Sequence, residues 1–442
     1  MNTLNQGPKL SRNVTRLSHL DVPGAGQIYV MGNYAYIGHI TNTERLGTSI
    51  LDVSDPRRPR TVSQIFLDDS ESRTHKARVI GDIMITNVER NTAYLMAIGR
   101  KAEQLPPLRV RLTEQLGREP TNTELAEKLG VQESDIPEIE AAESKAYDKG
   151  GFKIYDISDK TKPRQIAYQK TGGVGVHRFD MDANYAYIST EMEGYLGNIL
   201  VNYDIRNPTK PTEVSRWWMP GQHTAGGEQP TWVGKRNRLH HAMRVGDKLW
   251  AGCWMAGVRV IDVSDIRSPR TIGAYNYHPP FTEPSHTFMG IPFPIAGRQL
   301  AIAIDEEDYM QSEAEMEERR GRPHGFLWVF DVSDLKNVQP LSCFDLSELD
   351  SPWSRAAPGR LGPHQFQEHM KDSLVYCAWF AGGLRIVDIA DPFAPREVGH
   401  FIPEPPAGRA APQTNDVDVD GRGLVYIIDR WKGLDILEFK RP

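Results

Sequence analysis

The chain has 442 residues, 39% of them hydrophobic and 25% charged, with a formal net charge of −6. That composition excludes a disordered or collagen-like chain, and its acidic balance argues against a nucleic-acid backbone as partner. No run reaches the roughly 18 apolar residues of a membrane span, MNTLNQGPKLSRNVTRLSHLDVPG holds no signal-peptide core, and three cysteines without CxxC spacing suggest a reducing compartment; a cytoplasmic protein with no membrane partner is expected.

The first predicted element is a strand, NVTRLSHL (13–20), followed by a hairpin, VMGNYAYIGH (30–39), then SILDVSDP (49–56) and TVSQIFL (61–67). This order recurs. The hairpins VIGDIMITNV (79–88), MDANYAYIST (181–190), RVGDKLWAGC (244–253) and VDGRGLVYII (419–428) turn on Gly, Asn or Asp. Strands with an Asp-rich end follow at FKIYDISD (152–159), VRVIDVSD (258–265), LWVFDVSD (327–334) and LRIVDIADP (384–392), with degenerate copies at 199–208 and 434–439. Each of these but the last precedes a further strand; the one missing at the C-terminus is supplied by 13–20. Self-similarity of this kind predicts an all-β, seven-bladed β-propeller over 8–442, closed by the N-terminal strand so that no sheet edge is left open.

The VSDP-type strands, and GGLRIVDIADP (382–392) above all, resemble the LVIVD-repeat family of bacterial β-propeller proteins. The resemblance implies architecture and says little about activity. Two segments exceed the repeat. Residues 100–147, within blade two, have helical periodicity, and LGREPTNTELAEKLGV (116–131) resembles a helix-turn-helix part of sigma-70-type transcription factors. Residues 306–325, within blade five, read as a charged helical excursion. Both follow the second strand of their blade, which puts them on one face; the first is expected to act as a lid over the working face.

Aligned on their inner strands, five consecutive blades begin with His75, His177, His240, His286 and His364, where the seventh has Asn415 and the first Gly26. Inner strands surround the axis, so these imidazoles are expected to converge at the channel mouth. The second strands end at Glu89, Glu191, Trp254, Asp305, Trp379 and Asp429. Imidazoles with carboxylates behind them are what a divalent metal needs, and Fe, Zn, Mn or Cu would suit. The histidines are therefore candidate metal ligands. Glu89, Glu191, Asp305 and Asp429 are candidate catalytic carboxylates. Trp254, Trp379, Arg178 and Arg430 are candidates for a substrate pocket in which arginine neutralises an anion. The expected function is a metal-dependent enzyme, a hydrolase, lyase or oxidoreductase, acting on a small, partly apolar or aromatic molecule. A non-catalytic binding scaffold and a metal-free His/Glu acid–base catalyst are the alternatives.

Overall fold

In the computed structural model, residues 10–40, 44–91, 105, 108–131, 133, 136–141, 147–232, 234–307, 322–354 and 360–442 are described. Most of the expected 306–325 excursion lies outside them. Period-two alternation, rich in Val, Ile and Tyr, produces antiparallel strands in the expected places. Ala25–Met31, Tyr34–His39, Leu46–Asp52 and Arg60–Phe66 pair in that order. The same four-strand order runs from Ala77–Ile80 to Arg164–Lys170, from Gly172–Met181 to Thr212–Trp217 and from Asn237–Val245 to Arg270–Tyr275. It continues from Ser285–Gly290 to Gln339–Phe344 and from Pro363–Phe366 to Arg396–Phe401. In the final unit Thr414–Val419, Leu424–Asp429 and Gly433–Phe439 are completed by Val14–Leu20, with Val14 opposite Phe439 and Leu20 opposite Leu434.

The repeated Asp-Xaa-Ser has a local cause. The Asp52 carboxylate accepts from the Ser54 amide at 2.9 Å and hydroxyl at 2.6 Å, and Arg60 grips its other oxygen at 2.7 and 3.1 Å. Asp156 with Ser158 and Arg164, and Asp262 with Ser264 and Arg270, repeat the arrangement. An Asx turn thus reverses the chain and an arginine eight residues on clamps it to the outer strand. Hydrogen bonds from the serines hold Asp52, Asp156 and Asp262 down to about 2.

Outer strands are stapled to the turn of the next unit. Ser63 donates to the Lys160 carbonyl at 2.7 Å, Ser215 to that of Ile266 at 2.6 Å and Ser342 to that of Pro392 at 2.7 Å. Ser18 of the N-terminal strand does the same to Pro56 at 2.6 Å, linking the final unit to the first. Apolar side chains fill the spaces between neighbouring sheets: Ile28 and Leu51 pack against Tyr426 and Ile436, and Ile302 and Val329 against Phe366 and Val375.

The first insert is helical. Asn122–Leu129 starts at Thr121, whose hydroxyl and the Glu124 carboxylate form a capping box, and stops at Gly130 in the left-handed region at φ +64°. It packs with Ile136–Ala141 and residues 108–112 around Leu108, Leu112, Leu125, Ile136 and Ile139. No described helix is long and apolar enough to cross a membrane.

Candidate metal centre

Each inner strand from the third unit on breaks register near its start, between Val176 and Arg178, Asn237 and His241, Ser285 and Thr287, Pro363 and Gln365, and Thr414 and Asp416. His177, His240, His286, His364 and Asn415 occupy those breaks. The first unit breaks between Ala25 and Ile28, around Gly26. A bulge takes a residue out of the up-down alternation and re-aims it. His75 sits just before its strand, beside Thr74, which bridges to His39. The five rings form an arc, with centroids 5.0 Å apart from His75 to His177, then 4.6, 4.1 and 4.4 Å on to His364. Glycine allows the close approach of neighbouring sheets: a Cβ on Gly38 would lie 2.3 Å from the His75 carbonyl carbon, and one on Gly252 2.6 Å from the His286 oxygen.

The partners of each Nδ1 assign the tautomers. His177 Nδ1 lies 2.7 Å from a Glu89 oxygen. Burial opposes ionisation of Glu89, yet Arg73 and His177 hold it down to about 2, so it only accepts. His240 Nδ1 donates to the His286 carbonyl at 2.8 Å, and His364 Nδ1 to that of Asn415. His286 Nδ1 lies 2.8 Å from the Thr287 hydroxyl, whose own proton goes to Gln365 Oε1 at 2.7 Å while Gln365 Nε2 donates to Glu368. In all four histidines the Nδ1 proton is committed, which leaves Nε2 as a lone pair. The Nε2 atoms of His177 and His240 face each other at 2.8 Å. Burial lowers His240, His286 and His364 well below the ordinary imidazole range and also lowers His177, although Glu89 opposes the shift there.

His75 differs. Asn87 accepts the Lys76 amide through Oδ1, so its Nδ2 donates to the Val176 carbonyl and to His75 Nδ1, at 2.9 and 3.0 Å. The His75 proton is then on Nε2, which has no hydrogen-bond partner among the described residues. By distance two groups can share an ion, His75 with Glu89 and His177, and His240 with His286 and Glu306, the ligand atoms of each lying within 4.8 Å of one another. The tautomers favour the second group.

Strand-end side chains divide unevenly. Glu89 reaches the arc. Glu191 instead pairs with Lys235 and accepts the Val174 amide. Asp305 is fully buried away from the rings, accepting from Tyr277 at 2.8 Å, Trp328 Nε1 at 2.9 Å and the Phe326 amide at 3.0 Å. The next residue, Glu306, takes the expected place: its oxygens lie 3.8 Å from both His286 Nε2 and His364 Nε2. Burial works against ionisation of Glu306 too, but His364, Arg360 and Arg430 hold it down to about 2. Asp429 is spent on the turn that follows, accepting the Trp431 and Lys432 amides at 2.8 and 3.0 Å. Trp254 stacks on His240 at 5.0 Å from a left-handed backbone, φ +53°, uncommon for a bulky residue. Trp379 is core, edge-on to Phe344, and its neighbour Phe380 meets His364 at 4.8 Å. Arg178 reaches across to His286 Nε2 at 2.8 Å. Arg430 donates to Asn415 at 2.6 Å, and burial together with the charge of Arg360 pulls it down to about 9. The His177 and Glu306 side chains are 21% and 16% exposed, against 6% or less for His75, His286 and His364, so the arc opens there.

Burial pushes Asp305 up to about 8. The variant Asp305→Asn is therefore expected to fold with unchanged or higher stability in urea at pH 7. Its amide nitrogen would donate to Tyr277, Tyr277 to Ser285, and Ser285 to His278, which lies 3.2 Å away. A loss of more than about 2 kcal/mol would show that three donors need a full charge.

The model of the LVIVD repeat matches residues 24–65 and 371–402. No curated protein matches the chain. Among solved structures it is similar to a periplasmic gluconolactonase of Pseudomonas aeruginosa, with a TM-score of 0.54 and 11% identity over 90% of this chain and 89% of that one. It is also similar to a protein of Bacteroides fragilis assigned as a 6-phosphogluconolactonase, with a TM-score of 0.52 and 10% identity over 94% and 98%. At this identity the likeness is one of fold.

Proposed function

We propose that this chain, which carries the LVIVD repeat of β-propeller-like proteins, is a metal-dependent hydrolase working at the mouth of a seven-bladed propeller. The recurring four-strand order, the pairing of Val14–Leu20 with Gly433–Phe439 and the Ser18-to-Pro56 bond support a closed ring of blades. The helical insert rejoins the sheets beside the arc, where Tyr147 meets Ser72 at 2.9 Å and Lys149 meets Asp69 at 3.1 Å, which supports its reading as a lid.

One observation carries the chemistry: two Nε2 lone pairs stand 2.8 Å apart with both Nδ1 protons already committed. Such atoms repel unless a positive centre is shared between them. His240, His286 and Glu306 supply two imidazole nitrogens and a carboxylate oxygen, a donor set that suits Zn, Fe, Mn or Cu, with His177 and His364 on either side. A bound divalent ion would polarise a carbonyl and make water a stronger nucleophile. The surrounding residues do the rest. Glu89 and the His286 carbonyl fix ring orientation, Arg360 keeps Glu306 ionised and in place at 2.8 Å, and Trp254 and Phe380 offer apolar walls. The gluconolactonase neighbours agree with ester or lactone hydrolysis on this scaffold.

Elemental analysis after expression with added metals is expected to give close to one divalent ion per chain, and hydrolysis of a small aromatic lactone should be lost on chelation and return with metal. Metal below about 0.1 per chain would refute the reading. Metal retention without hydrolysis, but with uptake of oxygen by the iron or copper form, would replace hydrolysis by oxidation on the same donors.

A further inference from the structure

The geometry points to a carboxylate-binding subsite beside the imidazole arc, built on Arg178 with Arg430, so that the substrate is an organic acid anion. This deepens the proposed function, but the subsite itself stands without the metal.

Arg178 is 3% exposed, and among the described residues its guanidinium makes one hydrogen bond, from Nη2 to His286 Nε2. Among the described residues its Nε and Nη1 have no partner. Buried donors are rarely left unmade, and a guanidinium cannot escape by losing its proton. The nearby carboxylates are engaged elsewhere. Glu89 is taken by Arg73 at 2.8 Å and Glu306 by Arg360 at 2.8 Å. Glu368 is shared between Lys76 and Arg78, and Asp180 is held by Arg78. Among the described residues Arg430 donates only to a neutral amide oxygen, through its Nε at 2.6 Å. Arg73, Arg178, Arg360 and Arg430 therefore face Glu89, Glu306 and Asp416 among neutral imidazoles; Asp416 accepts the Ile28 amide at 2.9 Å, and burial pushes it up to about 8. An anion is the missing charge, and a divalent ion would deepen the need.

The ligand's body can be apolar. The Phe380 ring lies 3.6 Å from the Arg360 guanidinium carbon, 5.3 Å from that of Arg430 and 4.8 Å from the His364 ring. The ring is itself fully buried, so it gives the arginines an apolar surround against which a flat acid would place its carboxylate on arginine. Arg178 also couples the subsite to the metal. It caps the His286 lone pair that a metal would use, so metal binding releases Nη2 as a third donor for the anion. Metal and carboxylate should then tighten each other by the same factor.

Calorimetric titration of the full chain, chelator-treated or zinc-loaded, with benzoate, benzamide and inorganic phosphate tests this. Benzoate is expected to bind at least about 10-fold tighter than neutral benzamide, and tighter still with zinc. Arg178→Gln should weaken benzoate by about 10- to 100-fold, and Arg178→Lys by less. Equal affinity for benzoate and benzamide, or an Arg178→Gln variant that binds like wild type, would overturn the subsite. If that variant does not fold, Arg430→Gln is read instead, with an expected loss of several-fold; no loss overturns the proposal. Phosphate binding tighter than benzoate would reject a carboxylate in favour of a phosphate group. Benzoate bound through Arg178 by protein that takes up no zinc would sink the metal reading and keep the subsite. Zinc bound without benzoate would do the reverse.

Discussion

Replacing His240 with alanine is expected to lower the affinity for zinc by at least about 100-fold while leaving the metal-free protein as stable as the wild type. His240 supplies one of the two lone pairs that face each other at 2.8 Å and belongs to the donor set with His286 and Glu306. Removing it takes away a ligand and also the repulsion that the empty-handed pair suffers. A stability measurement separates the two effects. Metal at a hundredfold excess over Kd should stabilise the wild type by about 2.7 kcal/mol, and the variant by almost nothing at the same concentration. Glu89→Gln should weaken zinc by about 10- to 100-fold, because an amide orients His177 less firmly than a carboxylate does. If His240→Ala lowers stability equally with and without metal, the arc is packing and not a binding site.

The largest effect on stability is expected from Glu368→Gln. Glu368 lies below the arc, where its oxygens meet Lys76 Nζ at 2.5 Å and Arg78 Nη1 at 2.6 Å. Lys76 is 2% exposed. Removing one member of a buried ion pair leaves the other charge unpaired, at about 3–5 kcal/mol. Burial already pulls the Lys76 ammonium below its ordinary value, and Glu368 is what holds it up. Without Glu368 the lysine falls further and sheds its proton at lower pH in the folded state than in the unfolded one. A lysine lowered in the folded state costs stability while protonated and recovers it as pH rises through the folded value. The deficit of the variant should therefore be greatest below neutrality and narrow as pH climbs toward the ordinary lysine range. Urea titrations across that window check both magnitude and slope. A deficit under about 1 kcal/mol, constant with pH, would mean that water reaches the pair.

Which side chains lie around the imidazole arc was legible to within one residue. Counting along the second strands led to Asp305 and Trp379, and the side chains that meet the arc are those of Glu306 and Phe380. In a strand with side chains alternating at period two, a slip of one position moves a residue to the opposite face. Here the reach occurs just past the strand end, where alternation no longer holds. Glu89 and Trp254 reach the arc because their strands carry the pattern to it without that overrun. The register breaks at His177, His240, His286 and His364 left no mark in composition, since a bulge is a property of two paired strands. His75 matched by position and differs in tautomer, which depends on Asn87.

Local chemistry, repeated along the chain, determined the architecture: an alternating strand, an Asp-Xaa-Ser turn and an arginine eight residues on carry their own instructions, because every contact they need lies within one hairpin. The N-terminal strand could be assigned to the last unit because one partner was missing there and one was spare. What only the tertiary structure decided is which nitrogen of each imidazole carries the proton and which carboxylate faces it. Those choices rest on a Glu89 oxygen, on carbonyls of neighbouring units and, through the adjacent Thr287, on Gln365, all far away in the chain except Thr287 itself. Hydrogen bonds between sheets select tautomers, and no spacing along a single strand encodes them.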